Sequence, residues 1–120
     1  MSLHVPDHAG ASAVLDRAAR RAPDAFAAGG RLRNLYAGAW HDTGTPTALV
    51  TPVDGTAIVE MAKVDAATAQ EAVAAAGEAH RDWSKVPLAQ RRERVVAAVE
   101  ALAEARDDLA LLLAWEIGKP

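Results

Sequence analysis

The sequence predicts an α/β chain in which a short β-meander is followed by a helical hairpin. Two changes of pattern carry that prediction. From Asn34 to Val64 the apolar residues recur with a period of two, cut by turns rich in Gly, Pro and Asp. From Ala66 onward the period becomes 3.6, interrupted once at Ser84-Lys85-Val86-Pro87.

Each element has its own signal. Ala11 to Arg21 reads as a short helix, capped by Ser12 and stopped before Pro23. Val14 and Leu15 offer it little apolar face, and helices shorter than ~12–15 residues are marginal alone. Gly29-Gly30 then marks a junction, so residues 1–33 are expected to form an N-terminal extension. Leu35 to Trp40 reads as a strand with Tyr36 and Trp40 on one face, followed by turn chemistry at His41-Asp42-Thr43-Gly44-Thr45-Pro46. Thr47–Val50 is a second strand, Asp54-Gly55 a hairpin turn, and Ala57–Val64 a third strand.

Asp65 suits the cap of a helix over 66–81, whose Ala69, Val73, Ala76, His80 and Trp83 share one stripe. Pro87 suits the first turn of the next helix, which runs from Leu88 to about Trp115 and stops at Gly118. Val95, Val99, Leu102, Ala105, Leu109 and Leu112 form its apolar stripe, with Glu93, Glu100, Glu104 and Asp107 on the other side.

Composition narrows the class. The 120 residues carry 13 Lys+Arg against 16 Asp+Glu, a net charge of -3, with no basic block of the kind nucleic-acid binders show. The chain is 51% hydrophobic, yet 30 of its residues are alanines, which favour helices but bury little area. Cysteine is absent, which removes disulfides, Cys-ligated metals and a thiol nucleophile from these residues. No apolar run approaches the ~18 residues of a membrane helix, and the first residues lack the pattern of a secretory signal. A cytoplasmic protein without nucleic-acid or membrane partners is the expectation.

Few residues stand out as chemical candidates. No glycine set forms a G-x-G-x-x-G or a phosphate-binding P-loop. Gly118-Lys119 reads as a helix stop with a cation at the negative end of the dipole. His4 and His8 are four apart, but Pro6 between them opposes a helical metal pair. His80 could serve as a base, though a histidine on that stripe more often fills a packed edge. Glu100, Glu104, Asp107 and Asp108 read as a solvated face rather than an acid/base pair. Arg91, Arg92 and Arg94 read as an exposed first turn or ion-pairing group. No residue is assigned to catalysis, to a cofactor or to a metal.

In their order and spacing, these pieces resemble the opening of the aldehyde dehydrogenase superfamily. The resemblance rests on Leu35-Tyr36-Ala37-Gly38-Ala39-Trp40, the turn Pro52-Val53-Asp54-Gly55, the strand Ala57-Ile58-Val59, and the helix Ala69-Gln70-Glu71-Ala72-Val73-Ala74-Ala75-Ala76 with Trp83 after it. A long helix opens with Pro87 and Arg91 and ends in Trp115-Glu116-Ile117-Gly118-Lys119-Pro120, and the Glu116-Ile117-Gly118-Lys119-Pro120 ending is the most specific piece. The resemblance covers Asn34 to Pro120, so 34–120 is expected to be the start of an aldehyde dehydrogenase-like cofactor-binding domain. Thr51 stands where the family usually has Asn, and His80 where it usually has Phe.

The resemblance implies an NAD(P)-dependent enzyme that oxidises an aldehyde to a carboxylic acid through a cysteine, with a glutamate activating water. Those groups and the phosphate-binding turn are expected beyond residues 1–120, making this an inactive N-terminal fragment. It further implies NAD or NADP as cofactor, and an aldehyde and further copies of the complete enzyme as partners. Some family members also hold a monovalent cation on backbone carbonyls near the positions of Val50 and Glu116. The alternative is a small, non-catalytic, helix-rich interaction module.

Overall fold

The computed structural model describes residues 8–118. In chain order it contains α1 (His8–Arg21), a single 3-10 turn (Pro23–Ala25), and strands β1 (Asn34–Tyr36), β2 (Ala39–His41), β3 (Thr45–Val50) and β4 (Ala57–Lys63). Helices α2 (Ala66–Trp83), α3 (Leu88–Glu104) and α4 (Arg106–Ile117) follow. This mix of helices and small sheets accords with part of an α/β domain. His4 and the Gly118-Lys119 cation lie at or outside the ends of the described residues.

The expected three-stranded meander is two separate two-stranded antiparallel sheets, β1–β2 and β3–β4. The stretch 35–40 is not one strand but a hairpin, pairing Leu35 with Trp40 and Tyr36 with Ala39. Its two-residue turn is Ala37-Gly38, both with positive φ (49° and 74°). Such primed turns match the right-handed twist of the strands they join. Tyr36 and Trp40 therefore lie on opposite faces. His41, expected in a turn, sits on β2 with its ring stacked on Tyr36, centroids 3.8 Å apart.

The second hairpin follows expectation more closely. Leu49 faces Val59 and Thr47 faces Met61, with a register shift at Leu49/Val50 where the strand enters its loop. That loop is closed by Gly55 N–H to the Thr51 carbonyl (2.9 Å) and Thr51 N–H to the Thr56 carbonyl (2.9 Å). Thr51 is fully buried, and its hydroxyl accepts from the Val53 N–H at 3.2 Å. It thus satisfies the loop's backbone at the position where the family usually has Asn.

The lead-in is woven into this sheet. Gly29-Gly30 does not loosen the chain but turns it, with Ala27 N–H donating to the Arg31 carbonyl at 2.8 Å. Leu32 then runs parallel to β4 beside Met61, its N–H on the Glu60 carbonyl at 2.8 Å. Asn34 Nδ2 donates to the Ala62 carbonyl at 2.6 Å, tying the first hairpin to the second. Ser12 lies inside α1 rather than at its cap, because the helix already runs from His8.

The core sits where α1 meets α4 over β3–β4. Val14 is 1% and Trp115 2% exposed, with Ala11, Ala27 and Ala62 also buried. With too little apolar face for independent stability, α1 instead lies against α4, with its Val14 buried. Asp65 caps α2 as expected, accepting from Thr68 N–H at 2.8 Å. That backbone hydrogen bond holds the Asp65 carboxyl below its ordinary range. Pro87 occupies the cap of α3 rather than its first turn.

Two helical expectations fail. The single helix from 88 to 115 is divided at Ala105 (φ -93°, ψ 5°), which ends α3 and starts α4. Asp107 and Asp108 fall in the first turn of α4, where the positive end of the helix dipole favours acids. Neither α2 nor α3 buries a residue, so the two do not form a packed hairpin. Val95, Val99 and Leu102 of the apolar stripe are exposed in residues 8–118. The radius of gyration of 17.1 Å exceeds the roughly 14 Å expected of a compact domain of this length.

Candidate functional site

The end of β3 and the last turn of α4 converge on the same end of the core. A cavity of about 240 Å³ lies between them and α1, lined by Leu15, Phe26, Leu49, Met61, Leu112 and Trp115, with Glu116 also on its wall. At its edge α4 stops at Gly118, whose φ of 66° is left-handed and whose N–H returns to the Ala114 carbonyl at 3.0 Å. A Cβ at Gly118 would stand 3.1 Å from Pro52 Cγ, so the helix end abuts the β3–β4 loop.

Val50 and Glu116, the positions whose carbonyls the resemblance associates with a cation, are thus carried by two elements that meet. The C-terminal end of a helix presents unpaired carbonyls and the negative pole of its dipole, which suits a cation rather than an anion. The side chains add no ligand set: among the described residues no three His, Cys, Asp or Glu side chains are grouped to hold a metal.

The remaining sequence candidates are scattered. His80 is exposed on α2 rather than filling a packed edge, and its carbonyl accepts the Ser84 N–H at 2.8 Å. Glu100, Glu104 and Asp107 are exposed as expected. Asp108 is instead drawn into an ion pair with Arg17 of α1 at 2.8 Å, and that hydrogen bond lowers its carboxyl pKa. Arg31 does the same to Asp42, at 2.6 Å. Of the arginine cluster, Arg94 lies over the Trp83 ring, 5.7 Å from its centroid, while Arg92 is exposed. The Arg94–Trp83 contact and the Tyr36–His41 stack were not foreseen, because each joins residues whose elements only the fold brings together.

Phosphate is commonly held by free N–H groups at a helix start that follows a glycine-rich turn. α2 instead opens on the Asp65 carboxylate, already bonded to Thr68 N–H, and α3 and α4 open at Pro87 and Ala105 without a glycine turn. Among the described residues no helix is long and apolar enough to cross a membrane.

Comparison with known proteins finds relatives over part of the chain. The sequence model of the aldehyde dehydrogenase family matches residues 40–120, beginning at Trp40 and so leaving β1 outside the match. The chain is 37% identical over 91 residues to malonate-semialdehyde dehydrogenase 3 of Geobacillus kaustophilus, covering 73% of this chain and 19% of that protein. It is 36% identical over 69 residues to N-succinylglutamate 5-semialdehyde dehydrogenase 1 of Caulobacter vibrioides, covering 58% and 15%. With 3-sulfolactaldehyde dehydrogenase of Pseudomonas putida the figures are 33% over 79 residues, 66% and 16%. No solved structure matches the chain. The chain spans less than a fifth of the length of these relatives. Two-thirds of its residues lie within the family match, and the chain belongs to the aldehyde dehydrogenase family.

Proposed function

We infer that these residues form the opening segment of an NAD(P)-dependent aldehyde dehydrogenase, which oxidises an aldehyde to a carboxylic acid. The segment is the outer, non-catalytic part of the cofactor-binding domain. Its task is structural: it presents α2 and α3 as cover for the sheet that would bind the cofactor. The observation that carries this reading is the family match over 40–120, joined to helices that expose apolar side chains on a chain without a thiol. Without a thiolate these residues cannot form the covalent intermediate of a cysteine-dependent oxidation.

The test is direct. Purified residues 1–120, supplied with NAD or NADP and an aldehyde such as malonate semialdehyde, should produce no reduced cofactor above a control without protein. Cofactor-dependent turnover by this chain would overturn the reading, since it would place the chemistry within residues that hold no thiol.

A further inference from the structure

The lead-in divides into a firmly anchored base and a lightly held arm. The base is the stretch 25–34. Arg33 N–H donates to the Ala25 carbonyl and Leu32 N–H to the Glu60 carbonyl, both at 2.8 Å, and Asn34 Nδ2 reaches the Ala62 carbonyl. Arg31 adds its ion pair to Asp42. Backbone and side chains together fix this stretch to β4 and to the end of the first hairpin.

The arm is α1, and it is held differently. Among its described side chains only Ala11 and Val14 are buried, and the helix it lies against is α4. A 14-residue helix is marginal alone, so α1 depends on α4 to keep its shape. Beyond that packing, Arg17 pairs with Asp108, the two side chains being 43 and 30% exposed. A pair as exposed as this adds little stability and is screened by salt.

Between arm and base lies a hinge. α1 ends at Arg21, Ala22 leaves helical geometry (φ -135°, ψ 69°), and Pro23 starts the 3-10 turn. A residue before proline is steered out of the helical region, so the break is written into the sequence and the arm can move without the base. The arm is also a wall: its Leu15 and Ala18 line the cavity of about 240 Å³ together with Leu112 and Trp115 of α4.

We propose that α1 is a releasable clasp on α4, hinged at Ala22-Pro23 and caught by Arg17 on Asp108, whose opening uncovers the apolar cavity while the stretch 25–34 stays bound to β4. Such an opening gives up few buried contacts and so costs less than unfolding the whole chain. Arm, hinge and base all precede Trp40, where the family match begins, and the catch residue Asp108 lies within it. The clasp is independent of the enzymatic reading above and is tested without any turnover measurement.

Hydrogen exchange of residues 1–120, resolved by segment, tests it. At low ionic strength the amides of α1 should exchange more slowly than in an unfolded chain, yet faster than those of β4. Added salt should speed α1 and leave β4 unchanged. Arg17→Glu and Asp108→Arg should each speed α1 about fivefold, again without effect on β4, since an attraction becomes a repulsion. The chain carrying both changes, with the charges exchanged, should return α1 to near its original rate. One common rate for α1 and β4 would overturn the proposal, because the arm would then open only with the whole chain. So would α1 amides as fast as in an unfolded peptide, or rates indifferent to salt and to both charge changes. Single variants that speed β4 equally, or a double variant no slower than either single one, would overturn it too.

Discussion

Arg17 of α1 reaches across 91 positions of sequence to grip Asp108 of α4, with Nε at 2.9 Å and Nη2 at 2.8 Å from the same carboxylate oxygen. It is a polar tie beside the packing of α1 on α4, elements whose Val14 and Trp115 are buried, and it holds the lead-in helix against α4. Its guanidinium lowers the Asp108 carboxyl pKa, chiefly through that hydrogen bond.

That shift has a defined pH signature. A carboxyl whose pKa is lower folded than unfolded contributes stability above its unfolded pKa and loses it as pH falls through the folded one. Asp108→Asn should therefore lower the melting temperature at neutral pH. The difference should shrink as pH falls below the ordinary carboxylate range and vanish below the lowered folded pKa. Thermal melts of both chains across that pH range check this, and added salt should shrink the neutral-pH difference.

Burial separates two valines that the sequence alone treats alike. Val14→Asp places a charge in the core and should cost about 3 kcal/mol or more. Val99→Asp, on exposed α3, should change the stability of the single chain by less than about 0.5 kcal/mol. Urea unfolding at concentrations where the chain is monomeric distinguishes them. Equal costs would mean that α3 is packed after all.

The first hairpin offers a stabilising change. Ala37 holds a φ of 49°, a region that costs a non-glycine residue about 1 kcal/mol and that Asn tolerates better. Ala37→Asn creates the Asn-Gly pair favoured in such turns and should raise stability by about 0.5 kcal/mol. Gly38→Ala should lower it by about 1 kcal/mol. Urea titrations read both.

Much of this was legible in the sequence because it depends on neighbours in the chain. Asp65 announces its helix by a cap three residues long, Asp54-Gly55 announces its hairpin, and Gly118 announces a left-handed stop. Other features depend on contacts that sequence distance hides. Ala37-Gly38 looked like the interior of a strand because alanine rarely takes a positive φ. The break at Ala105 has no Gly or Pro to mark it; the only local hint is the pair of acids that suits a helix start. The apolar stripe of α3 is a pattern in the sequence, and amphipathicity says which face seeks cover, not whether these residues supply it. The association of Val50 and Glu116 with a cation comes from the family resemblance alone, since backbone carbonyls leave no trace in side-chain identity.

The uncovered surface has its own consequence. Leu35, Val73, Leu88 and Val95 are all exposed, so the isolated chain should bind a hydrophobic dye and show a helical circular dichroism spectrum with a broad thermal transition. A sharp two-state melt without dye binding would contradict this.

The central claim is that residues 40–120 serve as the structural opening of an aldehyde dehydrogenase. A chimera tests it most directly, with these residues replacing the matching segment of malonate-semialdehyde dehydrogenase 3 of Geobacillus kaustophilus. The expected result is aldehyde-dependent reduction of NAD or NADP that an alkylating agent abolishes. A chimera that folds and stays soluble, yet shows no turnover, would contradict it.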